Sequence, residues 1–538
     1  MSRLTLFILF FWFCPVHSQT LFTEVSDEIG VDYVYPGVDF QMAGGGVMVI
    51  DVNNDGWEDF YQSGGVFDSK LWVNHQGTFK DETKRYGLNI LSGYFIQGAF
   101  AADFNNDGFE DFFIANFGLG MGMGDKHAPL LLVNDNGNGF KPHYLDSLLQ
   151  PEDYTSATWG DFNKDGYSDL YITNYVATMG ELMDSSKNVI GYDPICSENK
   201  LLLNVNGTGF REVSDLYGLN NSGCGLAARF TDFDKDGDLD LLLLNDFGEW
   251  TDEGNKCYRN EFPEAAFTDI SDAIGFNHRM YGMGIGPGDF DHDNDLDYFV
   301  TNVGPNYLFQ NEGDTLSNVA IQMQLDDPYA YNTTFGTSWS GFFFDYEFDG
   351  DLDLYVSKGN VAILVPPTSV SDPNRIYIND NGAYVDSSSG SGVNDILSHR
   401  GAVILDYDHD GDLDIISSIV KLPWGKFSGL EQKLKIYRNE ANAGNWIGIK
   451  LKGTDGLAFD CFGCALVFEQ NGRETRMEVD GGSGQASQST RINYYGLGKA
   501  KRLEKLRIEW LNGEVLELNK LKANKMYEIT LDGIQVVR

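Results

Sequence analysis

The sequence predicts an all-β protein: a seven-bladed β-propeller followed by a small β-sandwich-like domain. Three observations predict it. An alternating carboxylate run, fullest in Asp406-Tyr407-Asp408-His409-Asp410-Gly411-Asp412-Leu413-Asp414, recurs at Asp51, Asp103, Asp161, Asp232, Asp289 and Asp345, with spacings of 52 to 71 residues. Each run is followed by an apolar segment ending in Asn, as in Leu71-Trp72-Val73-Asn74 and Ile436-Tyr437-Arg438-Asn439, and most of these lead through a Gly turn to an aromatic-x-x-apolar segment such as Phe210-Arg211-Glu212-Val213. A fixed period of this length marks a repeat architecture, and strand, loop, strand, strand, turn, strand is the content of one four-stranded blade.

Taken in order, residues 1–18 read as a secretory signal: Arg3, an apolar run from Leu4 to Phe13, and Val16-His17-Ser18 before Gln19. The run is short for a membrane span. The aromatic-x-x-apolar landmark starts at Phe22, Phe79, Phe140, Phe210, Phe267, Leu316 and Tyr384, so one copy precedes the first loop and none follows Asn439. Phe22-Thr23-Glu24-Val25 is therefore expected to be the outer strand of the seventh blade, closing residues 19–440 into a ring. Inserts at 117–129, 175–198 and 361–373 are expected to project as loops, where binding residues concentrate. The glycine runs at Gly118–Gly124 and Gly282–Gly286 lack a P-loop lysine and read as structure. Residues 445–538 lose the carboxylate period and alternate as half-buried strands, among them Trp446–Leu451, Arg476–Val479, Leu506–Trp510 and Val515–Leu518.

The loops carry the chemistry of a hard cation. Ca²⁺ takes six to eight oxygen ligands from carboxylates, amides, backbone carbonyls and water. Positions 1, 3, 5 and 9 offer side chains, position 7 its main-chain carbonyl, and Gly at position 6 allows the turn. The candidate ligands are Asp51, Asn53, Asp55, Trp57 and Asp59, then Asp103, Asn105, Asp107, Phe109 and Asp111, then Asp161, Asn163, Asp165, Tyr167 and Asp169. The fuller loops supply Asp232, Asp234, Asp236, Asp238 and Asp240, and Asp289, Asp291, Asp293, Asp295 and Asp297. The last two supply Asp345, Glu347, Asp349, Asp351 and Asp353, and Asp406, Asp408, Asp410, Asp412 and Asp414. Strand-like flanks and the lack of a bidentate Glu at position 12 exclude an EF-hand. The alternative, that Asp, Asn and Gly merely form turns, does not explain Asp at positions 1, 5 and 9 in every copy. Up to seven Ca²⁺ sites follow, Ca²⁺ being preferred to Mg²⁺. Asn at position 3 in the first three loops predicts weaker binding there.

Net charge is −42 over 538 residues, which argues against nucleic acid or an anionic membrane surface as the main partner. Seven bound Ca²⁺ would bring that charge to −28. Past the signal lie Cys196, Cys224, Cys257, Cys461 and Cys464, an odd count that leaves at least one thiol free or paired between chains. Cys461-Phe462-Gly463-Cys464 could be redox-active, half a zinc site or a local disulfide; without a second CxxC or a thioredoxin-like pattern, the local disulfide is favoured.

The loops and their flanks resemble FG-GAP/VCBS repeats of integrin-α-like propellers. The tail resembles the ASPIC/UnbV domain through Asn445-Trp446-Ile447-Gly448, Gly481-Gly482-Ser483-Gly484-Gln485-Ala486-Ser487-Gln488, Tyr495-Gly496-Leu497-Gly498 and Ile508-Glu509-Trp510-Leu511-Asn512-Gly513. Together they are similar to the cartilage-acidic-protein type of architecture. Leu511 stands where that family usually has Pro, and the CxxC replaces a simpler Gly-Ala turn. The EGF-like module that follows in animal members is absent, which points to a bacterial exported protein. The resemblance implies a calcium-stabilised extracellular scaffold: a binding or adhesion module for protein or glycan, exported to the surface, periplasm or medium. The alternative is a secreted polysaccharide lyase or hydrolase, but no Ser-His-Asp order, HExxH or GxSxG appears, and the carboxylates are committed to metal.

Overall fold

The computed structural model describes residues 20–34, 44–117, 127–331, 334–359, 371–421, 430–441, 444–454 and 456–538. The expected signal segment, and most of the inserts at 117–129 and 361–373, lie outside the described residues.

Each carboxylate loop joins the first two strands of a four-stranded antiparallel sheet, and the described residues form seven such sheets. Sheet 1 is Val47–Ile50, Asp59–Gln62, Lys70–Asn74 and Phe79–Asp81. Sheets 2 to 6 repeat this order from inner strands Ile96–Ala102, Tyr154–Gly160, Gly225–Thr231, Ile285–Gly288 and Ser338–Phe344. Sheet 7 takes His399–Leu405, Asp414–Ile419 and Lys435–Asn439 from one end of the repeat region and Phe22–Glu24 from the other, with Phe22 opposite Asn439. Each inner strand lies against that of the next sheet, and that of sheet 7 lies against that of sheet 1. Successive sheets thus close into a ring.

The first two strands are buried on both faces, Val47–Ile50 and Asp59–Gln62 along their whole length, so they read as apolar runs and not as alternation. Outer strands such as Phe79–Asp81 bury one residue in three and face water. Phe22 is fully buried, with ring centroids 6.5 Å from Phe344 and 5.4 Å from Tyr346 of sheet 6. Its burial contributes about 1.5–3 kcal/mol to closure.

The insert of sheet 3 is a second hairpin, Val176–Met183 with Val189–Cys196, and its Tyr192 packs against Phe247 and Trp250 beside sheet 4. Its base is held by a disulfide between Cys196 and Cys224. The bridge expected at Cys461 and Cys464 is therefore corrected: these two, with Cys257, are free, buried thiols. Burial holds the Cys461 thiol well above its ordinary range, and a disulfide forms through the thiolate, which this apolar site disfavours.

The tail forms two more four-stranded sheets, Asn493–Gly498, Asn445–Leu451, Lys525–Thr530 and Gly533–Val536, and Arg473–Glu478, Ala465–Gln470, Arg502–Glu509 and Val515–Lys522. It shares a core with the ring: Phe462, Leu466, Ile508 and Trp510 pack in one cluster with Phe100, Trp159, Phe230 and Leu239. In the segment joining Arg473–Glu478 to Asn493–Gly498 the chain dips into the middle of the ring and turns back at Gly484–Ser487. The Gly481 carbonyl accepts from Trp159 (2.9 Å), that of Ser483 from Ile285 (3.1 Å), and Gln488 exchanges backbone bonds with Val47 and Val49 (3.0 and 2.9 Å). The Gln488 amide also spans Ala101 N and O, at 2.6 and 3.1 Å. A Cβ on Gly481 would sit 2.0 Å from the Trp159 carbonyl oxygen, so this close approach needs glycine.

Candidate metal centres

The loops are built the same way around the ring. Position 1 is buried and its carboxylate turns the chain back on itself. Asp103 accepts the N–H groups of Asp107 and Gly108 (2.9 and 2.7 Å), and Asp289 those of Asp293 and Asn294 (both 3.1 Å). Positions 4 and 6 both adopt left-handed backbone: φ is 54° to 63° at Asn54, Asn106, Lys164, Lys235, His292, Phe348 and His409, and 71° at Asn294, which replaces Gly.

In three loops the side-chain oxygens converge. One oxygen each from Asp232, Asp234 and Asp240, from Asp289, Asp291 and Asp297, and from Asp406, Asp408 and Asp414 lie within 4.8 Å of one another. These are positions 1, 3 and 9 of the loops with Asp at position 3. Position 5 stays outside these trios and exposed, at Asp236, Asp293 and Asp410. In the first three loops Asn53, Asn105 and Asn163 instead donate to the position-5 carboxylates of Asp55, Asp107 and Asp165, each at 3.0 Å.

Electrostatics favour a cation. Burial pushes Asp232, Asp289 and Asp406 up to about 7, Asp111 to about 8 and Asp297 to about 9. Asp232 and Asp406 are at most 7% exposed, yet the Oδ1 of each has no hydrogen-bond partner among the described residues. A buried carboxylate oxygen without a donor costs stability unless something positive faces it. All-oxygen donors at this spacing suit a hard divalent ion.

Position 9 is also a clasp. In every repeat one of its oxygens takes the backbone N–H of the following Asn landmark, as Asp59 does from Asn74 and Asp169 from Asn204, both at 2.7 Å. That Asn then reaches the preceding loop, Asn74 to the Tyr407 carbonyl at 2.8 Å and Asn204 to Phe104 at 2.9 Å. The landmark is thus the joint between neighbouring sheets.

Position 4 makes a second joint, one that reading the ligands alone does not reveal. Its side chain meets position 6 or 7 of the next loop. Asn54 donates to the Gly108 carbonyl (2.5 Å) and Asn106 to that of Gly166 (2.8 Å). Lys164 pairs with Asp238 and Lys235 with Asp295, while His292 Nε2 lies 3.1 Å from Asp351. His409 stacks on Trp57 at 3.6 Å and 13°, crossing from the last loop to the first. Polar or cationic position 4 is matched to the residue type it meets; Phe348, which precedes Asp412, is the exception. The signal available in the sequence was Asn54 and Asn106, a residue type that tolerates this backbone.

The tail covers the loops with arginines. Arg538 lies 2.5 Å from Asp406, Arg473 2.7 Å from Asp351, and Arg491 pairs with Glu110 and Asp460. One triad-like array exists away from the loops: His399 Nδ1 to Ser417 (2.8 Å) and Nε2 to Asp395 (2.8 Å), with Tyr437 donating to Asp395 (2.7 Å). His399 and Ser417 are wholly buried, so the array ties His399–Leu405 to its neighbour strand. Burial raises Asp395, but His399 and Tyr437 outweigh it and hold the carboxyl at about 2.

The FG-GAP-like repeat model matches residues 51–114 and 232–300, and the ASPIC and UnbV model matches residues 460–535. The chain is 22% identical over 550 residues to human cartilage acidic protein 1, covering 96% of this chain and 77% of that protein. It is 25% identical over 305 residues to the mouse protein of the same name, covering 47% of this chain and 45% of that one. Among solved structures, an Agrocybe aegerita lectin described as specifically recognising non-reducing terminal N-acetylglucosamine aligns with TM-score 0.39 and 16% identity, over 65% of this chain and 83% of its own. Among the described residues no helix is long and apolar enough to cross a membrane.

Proposed function

We propose, for a chain that carries FG-GAP-like repeats and an ASPIC and UnbV domain, an exported adhesion-type module whose seven-bladed ring is held together by Ca²⁺ and binds protein or glycan through its loops. The observation that carries this reading is the convergence of buried carboxylates at Asp232, Asp289 and Asp406, two of them with an oxygen that no described donor reaches. Asp232, Asp234 and Asp240 would hold one ion, Asp289, Asp291 and Asp297 a second, Asp406, Asp408 and Asp414 a third. The ion supplies the counter-charge that relieves carboxylate repulsion, and affinities of about 10⁻⁴–10⁻³ M would suffice outside the cell. The other four loops bind more weakly, having Asn or Glu at position 3.

The test is thermal melting with and without chelator. Chelation is expected to lower Tm by many degrees, Ca²⁺ to restore it and Mg²⁺ to restore it less; an unchanged Tm contradicts the assignment. Asp408→Ala should reproduce part of the loss.

A further inference from the structure

We propose that Lys358 and Asp327 condense into an internal amide bond, a cross-link the chain makes by itself that fastens sheet 6 to the segment between sheets 5 and 6. Lys358 ends the second strand of sheet 6, Asp353–Lys358, at the end away from the carboxylate loop. Among the described residues it is the only buried lysine, at 0% exposure. Its Nζ lies 2.5 Å from Asp327 Oδ2 and 3.4 Å from Asp372 Oδ1. Asp372 is buried as well. Thr337 donates its N–H to Oδ2 of Asp372 (2.6 Å), while Oδ1, on the side of Nζ, has no hydrogen-bond partner among the described residues. Arg375 Nε donates to Asp327 Oδ2 at 3.1 Å. Two features of the backbone serve this close approach. A Cβ on Gly336 would sit 2.9 Å from Lys358 Nζ and 2.7 Å from Asp372 Oδ2, so glycine leaves them room. Asp327 holds a left-handed backbone, φ 29°, which a residue other than glycine adopts at a cost.

The four groups divide the work of a condensation. Nζ is the nucleophile, already held against the carboxyl it attacks. Arg375 faces the oxygen that carries negative charge once Nζ has added. Asp372, whose carboxyl is pushed up by burial, takes a proton from Nζ and passes it to the departing oxygen. One N–Cγ bond forms and one Cγ–O bond breaks. Two protons of the ammonium leave with that oxygen as water, and nothing is oxidised or reduced. Charge balances on both sides of the step: Lys358 and Arg375 face Asp327 and Asp372 before it, and Arg375 faces Asp372 after it. The step removes two charges from the interior, where an ion pair repays its desolvation only in part. Asp327, 14% exposed, leaves a way out for the water released. The bond closes a loop across 31 residues and so restricts the unfolded chain.

Intact-mass spectrometry of the full chain, folded first and then denatured with its disulfide reduced, tests this. The protein is expected to be lighter by one water than the sequence from its mapped N-terminus requires, whether folded with Ca²⁺ or without. Peptide mapping should find Lys358 joined to Asp327. Lys358→Arg keeps the charge but has no amine to condense, and Asp372→Asn keeps the shape but carries no proton. Both should melt cooperatively and show the full mass. Full mass in the native chain overturns the proposal, and so does a bond from Lys358 to Asp372 or a water still lost in Asp372→Asn. If either variant fails to fold, the native mass and the peptide map still decide. Because neither readout depends on metal, failure here leaves the cation reading standing.

Discussion

The Asn204 side chain shows what a repeated residue does here. It donates to Phe104 of the preceding loop (2.9 Å) and to Ser168 of its own (3.0 Å), and accepts from Gly207 (2.8 Å), while 1% exposed. Asn204→Ala orphans two buried carbonyls and an N–H, so urea unfolding should show a loss of about 2–4 kcal/mol. Asp380→Ala, an exposed change whose side chain accepts from Asn381, should stay within about 0.5 kcal/mol. The thiols are equally specific. Unreduced, unfolded protein should expose Cys257, Cys461 and Cys464 to alkylation, and peptide mapping should find Cys196 joined to Cys224; a Cys461–Cys464 peptide would contradict the structure.

At the scale of one loop, the balance of charge and burial sets a pH dependence whose sign depends on the cation. Asp111 and Asp297 have an ordinary value of 3.8 and are raised by burial to about 8 and about 9. The folded, metal-free chain then binds more protons than the unfolded one across this window, so stability falls as pH rises from about 4 to 9. A chelated sample should therefore melt higher at pH 5 than at pH 8. With Ca²⁺ the order should invert, because the ligating carboxylates must ionise. Equal slopes in both samples would show that these aspartates do not face the cation. The convergence of carboxylates was legible at this scale because repetition exposes it. The coupling of loops through position 4 was not, since Lys235 and Asp295 are distant in sequence and meet only when adjacent sheets align.

For the whole molecule, two connections hold the ring. Phe22–Glu24 completes sheet 7, and the segment from Gly481 to Gln488 bonds to strands of sheets 1, 2, 3 and 5. Deleting residues 20–30 opens the seam and uncovers Phe22, Val25 and Ile29, so it should lower Tm far more than an ordinary terminal trim. Truncation after residue 440 should be worse, because the tail supplies part of the core shared with sheets 2 to 4. Soluble, cooperatively melting ring from that truncation would show that the tail is dispensable.

The chain alone determined the repeat, the strand order within each sheet, the spacing of the loop carboxylates and the closing role of Phe22, because each depends on local spacing and on counting copies. Only the tertiary structure decided which cysteines pair, which arginines cover which loops, and that a turn of the tail dips into the middle of the ring. Those depend on contacts between segments hundreds of residues apart, such as Val47 with Gln488. The glycines and glutamines that make them carry no periodicity, so their meaning appears only once the surrounding strands are in place.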